Sequence, residues 1–334
     1  MHYQLKKWLI FSGKIALTIL LLGFLLRNEG AGDGLMARLG RITPEVMIVV
    51  VLLMLGQAGF NAVRWQLITA LIGPALHFWV ALRYVLVGLF FNQTLPSILG
   101  GDMVRWWYAH RQGIPALPAF NGLLLDRING MVMLALLTLT MAPVIGGEAE
   151  RFAPPILLYG FLAALGLGFL AVLLIDRLPP RLTRWRVLHI GVRLAGDARR
   201  VFLCKRRTPW LLLLSSVAQV LLVIAVYLLA SALGVAISFA ICLFVVPAAL
   251  LFSALPISIG GWGVRESAFI LGFGLFGVSA SDALALSVLF GVASLLAGLP
   301  GGLVWWFARD RSASYARIDS VLDEVLESKA GTEK

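Results

Sequence analysis

The chain has 334 residues, of which 60% are hydrophobic and 13% charged, and its mean hydropathy is +0.91. Soluble domains carry about 25% charged residues, so this composition excludes an ordinary soluble protein and indicates a polytopic membrane protein. A net charge of +11 would suggest nucleic acid binding in a soluble chain. Here the basic residues lie between apolar spans, as the positive-inside rule describes, and we expect no nucleic acid partner. The two cysteines and four histidines show no disulfide or metal-ligand spacing, and we expect no metal and no cofactor.

Six apolar runs are long enough to cross a bilayer. They cover residues 8–26, 46–71, 118–144, 154–175, 210–233 and 283–307. Two further apolar segments, 78–95 and 239–255, are each followed by Pro and then by Gly-Gly. Proline removes a backbone donor and Gly-Gly permits a sharp reversal, so a break in the helix is predicted after each segment.

The two breaks repeat each other in sequence. Residues 95–105 and 255–265 both read Leu-Pro, three residues, Gly-Gly, two residues, Val-Arg, with no gap. Such an internal repeat predicts two equivalent structural units. We define them as repeat A, over about 46–144, and repeat B, over about 210–307.

Charge decides whether the segment 78–95 crosses the membrane. If it crosses and the N-terminus is cytoplasmic, the loop 177–207, with ten Lys or Arg residues, lies outside. If it re-enters and returns to its own side, all strongly basic loops lie inside, as the positive-inside rule requires. We therefore predict an all-α polytopic membrane protein with about six transmembrane helices and two re-entrant helical hairpins. One membrane domain covers 1–308, in which the span 154–175 and the basic cytoplasmic loop link the repeats, and 309–334 form a polar cytoplasmic tail.

The predicted topology makes the repeat an inverted one. Three crossings separate equivalent points of repeats A and B, so the two units have opposite orientations. Inverted repeats with discontinuous helices are typical of transporters whose binding site lies near the midplane. Within 177–207, one helical face is apolar and the other basic. We expect either an interfacial helix on anionic lipid or a solvated linker helix.

The breaks provide a candidate anion site. After each Gly-Gly a half-helix can begin, with free N–H groups and a positive dipole end, and Arg105 and Arg265 lie one turn further on. Two such ends would form one polar centre for a phosphate headgroup. A structural role is the alternative, with Asp102 as the N-cap of a helix from Met103 and the arginines in ion pairs. Because a charge at the bilayer centre costs about 2.5–3.5 kcal/mol, we favour function for both arginines.

The complete set of candidate substrate-binding residues contains charged, amide and glycine positions at and around the two breaks. It consists of Arg105, Arg265, Asp102, Asp126, Arg127, Glu266, Asn92, Gln93, Gly100, Gly101, Gly260 and Gly261. Arg105 would pair with Asp102 or Asp126, and Arg265 with Glu266. No catalytic residue is predicted, since no nucleophile elbow or phosphate-binding loop is present.

Three motifs carry a family resemblance: residues 92–105, Asp126-Arg127, and 255–266, which end in Gly-Gly-Trp-Gly-Val-Arg-Glu. In these motifs and in hydropathy, about residues 8–308 resemble the transmembrane (flippase-type) region of lysylphosphatidylglycerol synthases. The resemblance implies a bacterial or archaeal inner-membrane protein that moves, or helps to move, a lipid between leaflets. Only about 26 residues follow the last span, so we expect a stand-alone member without the synthase domain or its aminoacyl-transferase activity.

The expected function is therefore translocation of an anionic or polyprenyl-phosphate-linked lipid across the plasma membrane, with both termini cytoplasmic. The alternative is an integral membrane enzyme, or an accessory subunit, in lipid-linked glycan or aminoacyl-lipid synthesis. The expected partner is a membrane lipid, and a homo-oligomer and a membrane biosynthetic partner are both left open.

Overall fold

The described part of the chain is entirely helical in its regular elements. The computed structural model describes residues 40, 42–94, 100–145, 155–177, 186–254 and 263–307. Within these ranges the helices are α1 (Pro44–Ile72), α2 (Phe78–Thr94), α3 (Gly100–Arg111), α4 (Ala116–Ile145), α5 (Pro155–Leu174), α6 (Arg186–Phe202), α7 (Thr208–Leu233), α8 (Phe239–Ser253), α9 (Val264–Gly274) and α10 (Ala280–Phe307). This confirms the all-α class. The predicted first span at 8–26 and the predicted tail at 309–334 lie outside the described residues.

Four of the described helices are long and apolar enough to cross a membrane, namely α1, α4, α7 and α10. They coincide with four predicted spans. At 26 to 30 residues, they reach about 39–45 Å, which matches a bilayer with its interfacial regions. Apolar side chains such as Leu52 and Leu303 are exposed on their outer faces, as lipid contact requires. The chain is thus a multi-pass membrane protein. Helix α5, with 20 residues, occupies the predicted span at 154–175.

The ends of these long helices follow from local sequence. Helices α1 and α7 each carry proline in the first turn, where its missing N–H leaves no hydrogen bond unmade. Helix α7 ends at Gly234, which adopts a left-handed conformation with φ of 76°. Glycine reaches that region without steric cost, so the helix stops there.

Helices α2 and α3 form an antiparallel hairpin. The rings of Tyr84 and Tyr108 stack at 4.8 Å, and the N–H of Gly101 donates to Asn92 Oδ1 at 3.0 Å. The hairpin packs closely, because a Cβ on Gly88 would lie 2.8 Å from Arg105 Cδ. Helix α2 has 17 residues and helix α8, its counterpart in repeat B, has 15. At about 26 Å and 22 Å, both are shorter than a hydrocarbon core of about 30 Å.

The chain returns from this hairpin to the end of α1 that it left. A Cβ on Gly73, directly after α1, would be in van der Waals contact with Ile114 and Pro118, which flank the start of α4. Further along the same two helices, Arg64 contacts Asp126. Helices α1 and α4 are therefore antiparallel, and the segment between them begins and ends at the same end of the bundle.

The helix contacts of repeat A have counterparts in repeat B. Helix α2 packs on α10 of the other repeat, and α8 packs on α4. Likewise, α2 packs on α3 and α8 on α9, while α3 packs on α4 and α9 on α10. Helices α1 and α7, the first helices of the two repeats, pack extensively on each other.

Helix α6 is amphipathic, and its apolar face lies on protein. Ala195, Ala198 and Val201 are fully buried against the bundle, whereas Arg200 points outward. Arg199 donates from Nη2 to the Leu173 carbonyl at 2.7 Å, which ties α6 to the end of α5. The two interpretations of residues 177–207 expected the apolar face of this helix to lie on lipid or to be solvated. In the structure α5, α1 and α4 cover it.

Candidate functional site

A buried carboxylate on α4 joins two arginines from different helices. Asp126 accepts through Oδ1 from Arg64 Nε of α1 at 2.7 Å, and through Oδ2 from Arg105 Nη2 of α3 at 3.2 Å. The three residues are 3%, 5% and 9% exposed. Charges persist within a membrane helix bundle when they pair in this way. We call these residues, with Asp102 and Arg127, the first centre.

The first centre becomes more open toward the start of α3. Asp102 accepts from Arg127 Nη1 at 2.7 Å and, through its other oxygen, from Arg105 Nη1 at 3.5 Å. Side-chain exposure rises from 4% at Asp126 to 17% at Asp102 and 25% at Arg127. Because α3 begins at Gly100, Asp102 lies in its first turn and is not an N-cap before Met103. The prediction that Asp102 is the N-cap of a helix from Met103 was therefore wrong. The predicted pairing of Arg105 with the two aspartates is confirmed.

Helix α7 is connected to the first centre through a hydroxyl. Ser215 Oγ accepts from Arg64 Nη1 at 3.2 Å and from Asn129 Nδ2 at 2.6 Å, and donates to the Leu211 carbonyl. The predicted set of substrate-binding residues does not include Arg64, Ser215 or Asn129. Arg64 carried a usable signal, since it is a charge inside an apolar span. A serine in an apolar helix carries none, because it can bond to its own backbone.

Several buried polar atoms near this centre have no hydrogen-bond partner among the described residues. They include Arg105 Nε, Trp65 Nε1 and Asn129 Oδ1. The Arg105 guanidinium lies 4.4 Å from the centre of the Trp65 ring, a cation–π contact. Unmade hydrogen bonds are rare and costly in a protein interior, so the two donors, Arg105 Nε and Trp65 Nε1, mark a site where an acceptor is needed.

A second centre lies at the start of α9. Arg265 Nη2 donates to Glu266 Oε1 at 2.6 Å, and Arg265 Nε donates to Ser287 Oγ of α10 at 3.0 Å. Ser287 donates in turn to Glu266 Oε1, and the backbone N–H of Gly263 donates to Glu266 Oε2. Glu266 is fully buried. The expected pairing of Arg265 with Glu266 is confirmed.

The two centres are built in parallel ways on different helices. In each repeat, the arginine of the short helix reaches the long helix that follows, Arg105 on α3 to Asp126 and Arg265 on α9 to Ser287. The expectation of one shared centre is not met, because the two arginines belong to separate charge groups. One group uses α1, α3, α4 and α7, and the other uses α9 and α10.

The remaining candidate residues lie around the first hairpin. Asn92 holds the start of α3 by accepting from Gly101 N–H, and Gln93 has a buried Oε1 with no described partner. Gly100 and Gly101 begin α3, and a Cβ on Gly101 would overlap the Gly88 carbonyl oxygen. Glycine is therefore required at Gly101 for close helix approach. Gly260 and Gly261 lie outside the described residues.

An apolar groove of about 330 Å³ lies between α4 and α5. Its described lining begins at Ile128, next to Arg127 in the chain, and follows one face of α4 to Leu139. Ala164 and Gly168 of α5 form part of the other side. Among the described residues, no group of three or more His, Cys, Asp or Glu side chains is placed to hold a metal ion.

Long apolar helices around buried ion pairs define a multi-pass membrane protein with a charged interior. Residues 11–302 of the chain match the family model of the lysylphosphatidylglycerol synthase TM region. The match covers most of the 334 residues, so the chain belongs to this family, as its motifs predicted. It has no match among the curated proteins or the solved structures with which it was compared. Membership in this family is consistent with a lipid-related membrane protein.

Proposed function

We propose that this protein translocates an anionic or polyprenyl-phosphate-linked lipid between the leaflets of the plasma membrane. The observation that carries the proposal is the first centre, where the Nε–H of the buried Arg105 guanidinium has no acceptor among the described residues. A charge in that position is costly and is retained mainly on substrate or ion pathways. The family supports a role that involves lipid. No chemical conversion is assigned to the chain.

Helix directions support an inverted repeat. Arg64 of α1 contacts Ser215 of α7, and Gly56 faces Leu221, so the first helices of the two repeats run antiparallel. Antiparallel first helices are what an inverted repeat requires, and inverted repeats are the plan of many secondary transporters.

The return of the α2–α3 hairpin supports re-entrance rather than a full crossing. With two such hairpins and the spans predicted from sequence, the basic segments fall on the cytoplasmic side, together with both termini. The hairpin tip would then lie within the bilayer. Irregular backbone at that depth is tolerated where it is buried in protein or borders a polar cavity.

In this topology the two centres lie at different depths. Asp126 is about 15 Å from the start of α4, on the cytoplasmic side, and Ser287 is about 10 Å from the start of α10, on the outer side. The centres are then separated by about 20 Å along the membrane normal. A lipid headgroup would then contact the first centre in one half of the bilayer and the second centre in the other half. The acyl chains of the lipid would stay in the hydrocarbon core.

The apolar groove between α4 and α5 is suited to bind a lipid acyl chain. From Ile128 to Leu139 the lining of α4 extends for about 17 Å, close to half of a hydrocarbon core of about 30 Å. Its charged neighbour Arg127 pairs with Asp102, at the exposed side of the first centre. An acyl chain in this groove would have its headgroup end beside that pair.

The test is leaflet exchange in liposomes that contain purified protein and lipids with a fluorescent acyl chain. Wild-type protein should expose inner-leaflet label to an external quencher faster than protein-free liposomes do. Arg105→Gln should slow exchange by about tenfold or more, as the loss of one charge-assisted hydrogen bond predicts. Arg265→Gln should also slow it, because the second centre is altered.

The matched control is Arg200→Gln on α6, whose side chain is 68% exposed and lies outside both centres. It should exchange lipid at the wild-type rate. Folding of each variant is checked by its thermal unfolding. If folded Arg105→Gln and Arg265→Gln proteins both exchange lipid at the wild-type rate, the two centres have no role in translocation.

A further inference from the structure

The positive charge of Arg105 is only partly compensated. Asp126 divides its two oxygens between Arg64 and Arg105, so these two arginines share one carboxylate. The second carboxylate near Arg105 is Asp102, whose nearest oxygen is 3.5 Å away. Asp102 holds Arg127 at the much shorter distance of 2.7 Å. In the described ion pairs of the first centre, three arginines meet two carboxylates, so the centre contains one more arginine than it has carboxylates.

The unmade hydrogen bonds around Arg105 also demand an acceptor. Arg105 Nε and Trp65 Nε1 are both donors, both buried, and both without an acceptor among the described residues. The two side chains are in contact, with the guanidinium 4.4 Å from the ring centre. An oxyanion bound here would satisfy donors and charge together, which neither a cation nor an apolar group can do.

In the second centre, both carboxylate oxygens of Glu266 already accept hydrogen bonds. Arg265 and Ser287 both donate to its Oε1, and the Gly263 N–H donates to its Oε2. One arginine faces one carboxylate at 2.6 Å, and that pair is neutral. Between Arg265 and Glu266 the charges balance, whereas the described ion pairs of the first centre contain three arginines and two carboxylates.

We propose that the first centre binds one phosphodiester oxyanion with a single negative charge, and so selects monoanionic lipid headgroups. This proposal rests on the proposed function for the source of the anion, a membrane lipid. A phosphomonoester with two charges would leave one negative charge unpaired next to Asp102 and Asp126. A zwitterionic headgroup would bring a cation close to Arg64 and Arg105. Both are disfavoured in a site of low dielectric constant.

Binding is measured separately from transport. Purified protein in detergent is titrated with three short-chain lipids that differ only in headgroup: phosphatidylglycerol with one negative charge, zwitterionic phosphatidylcholine, and phosphatidic acid. Phosphatidylglycerol should bind at least about tenfold more tightly than the other two, since one unmatched charge is worth about that factor or more. Equal binding of all three overturns the proposal.

Two variants examine the origin of the preference. Asp102→Asn adds one positive charge to the centre and should raise the affinity for phosphatidic acid relative to phosphatidylglycerol. Trp65→Phe removes the indole N–H but keeps the ring under Arg105, and should weaken phosphatidylglycerol binding severalfold. The control is Asp197→Asn on α6, whose carboxylate accepts from Asn121 away from the centre. It should leave the headgroup preference unchanged.

Failure of this proposal differs from failure of the proposed function. If liposomes show protein-dependent exchange of all three headgroups at one rate, translocation stands and charge selection fails. If phosphatidylglycerol binds selectively, and Trp65→Phe weakens it, but no lipid is exchanged, the anion site stands and translocation fails. If Asp102→Asn does not fold, unchanged binding by Trp65→Phe by itself overturns the assignment of the site.

Discussion

The first centre should be essential to stability as well as to function, and Asp126→Asn tests this. The substitution keeps the shape of the side chain but removes the negative charge that Arg64 and Arg105 share. Removing one member of a buried ion pair costs about 3–5 kcal/mol, because the other charge is left uncompensated. At about 2 °C per kcal/mol for a chain of this size, the melting temperature should fall by about 6–10 °C.

The assay is thermal unfolding in lipid nanodiscs, followed by intrinsic tryptophan fluorescence. Asp282→Asn is the matched control, because Asp282 accepts from Ser279 in an exposed position at the start of α10. It should change the melting temperature by no more than about 2 °C, as exposed sites usually do. An Asp126→Asn protein as stable as this control would refute the reasoning.

A double variant separates charge from packing. Combining Asp126→Asn with Arg64→Gln removes both members of the shortest pair in the first centre. If the cost of Asp126→Asn is electrostatic, the double variant should recover about 1–3 kcal/mol relative to the sum of the single changes, within the range for residues in contact. Strict additivity would mean that the two side chains contribute independently.

Further predictions concern helix packing, the second centre and topology. Gly301→Ala should lower the melting temperature, since its Cβ would overlap the Leu86 carbonyl oxygen, whereas Gly59→Ala, with open space around it, should be tolerated. Ser287→Ala should cost about 1–3 kcal/mol, measured by thermal unfolding, because it removes the hydroxyl between Arg265 and Glu266. A membrane-impermeant maleimide should label Cys204 from the cytoplasmic face only, as read by mass spectrometry of inverted vesicles and of intact cells.

The helices were largely predictable because apolar length is a local signal. Four predicted spans coincide with α1, α4, α7 and α10, and the two segments before the Gly-Gly breaks coincide with the short helices α2 and α8. Helix starts were less predictable. Gly100 and Gly101 belong to α3 rather than to a turn before it, since contact with Gly88 and Asn92 holds them in place.

The pairing of charges was only partly predictable. Arg105, Asp102 and Asp126 were identified because charges are rare in apolar sequence. The sharing of Asp126 between Arg105 and Arg64 was not, because it depends on how α1 and α3 both pack against α4. The repeat in sequence also suggested equal roles for Arg105 and Arg265. Their different surroundings, two aspartates for one and a glutamate with a serine for the other, appear only in three dimensions.

Because α2 packs on α10 and α8 packs on α4, a short helix of each repeat packs on a long helix of the other repeat. Gly298 and Gly301 bring α10 close to the backbone of α2 at Phe90 and Leu86, so little free space remains between these two helices. If one repeat moved as a rigid body relative to the other, the contact of α2 with α10 and that of α8 with α4 would have to separate at the same time. If the protein translocates a lipid as proposed, small side-chain shifts between helices that stay in contact fit this packing better than a rigid-body movement of one repeat.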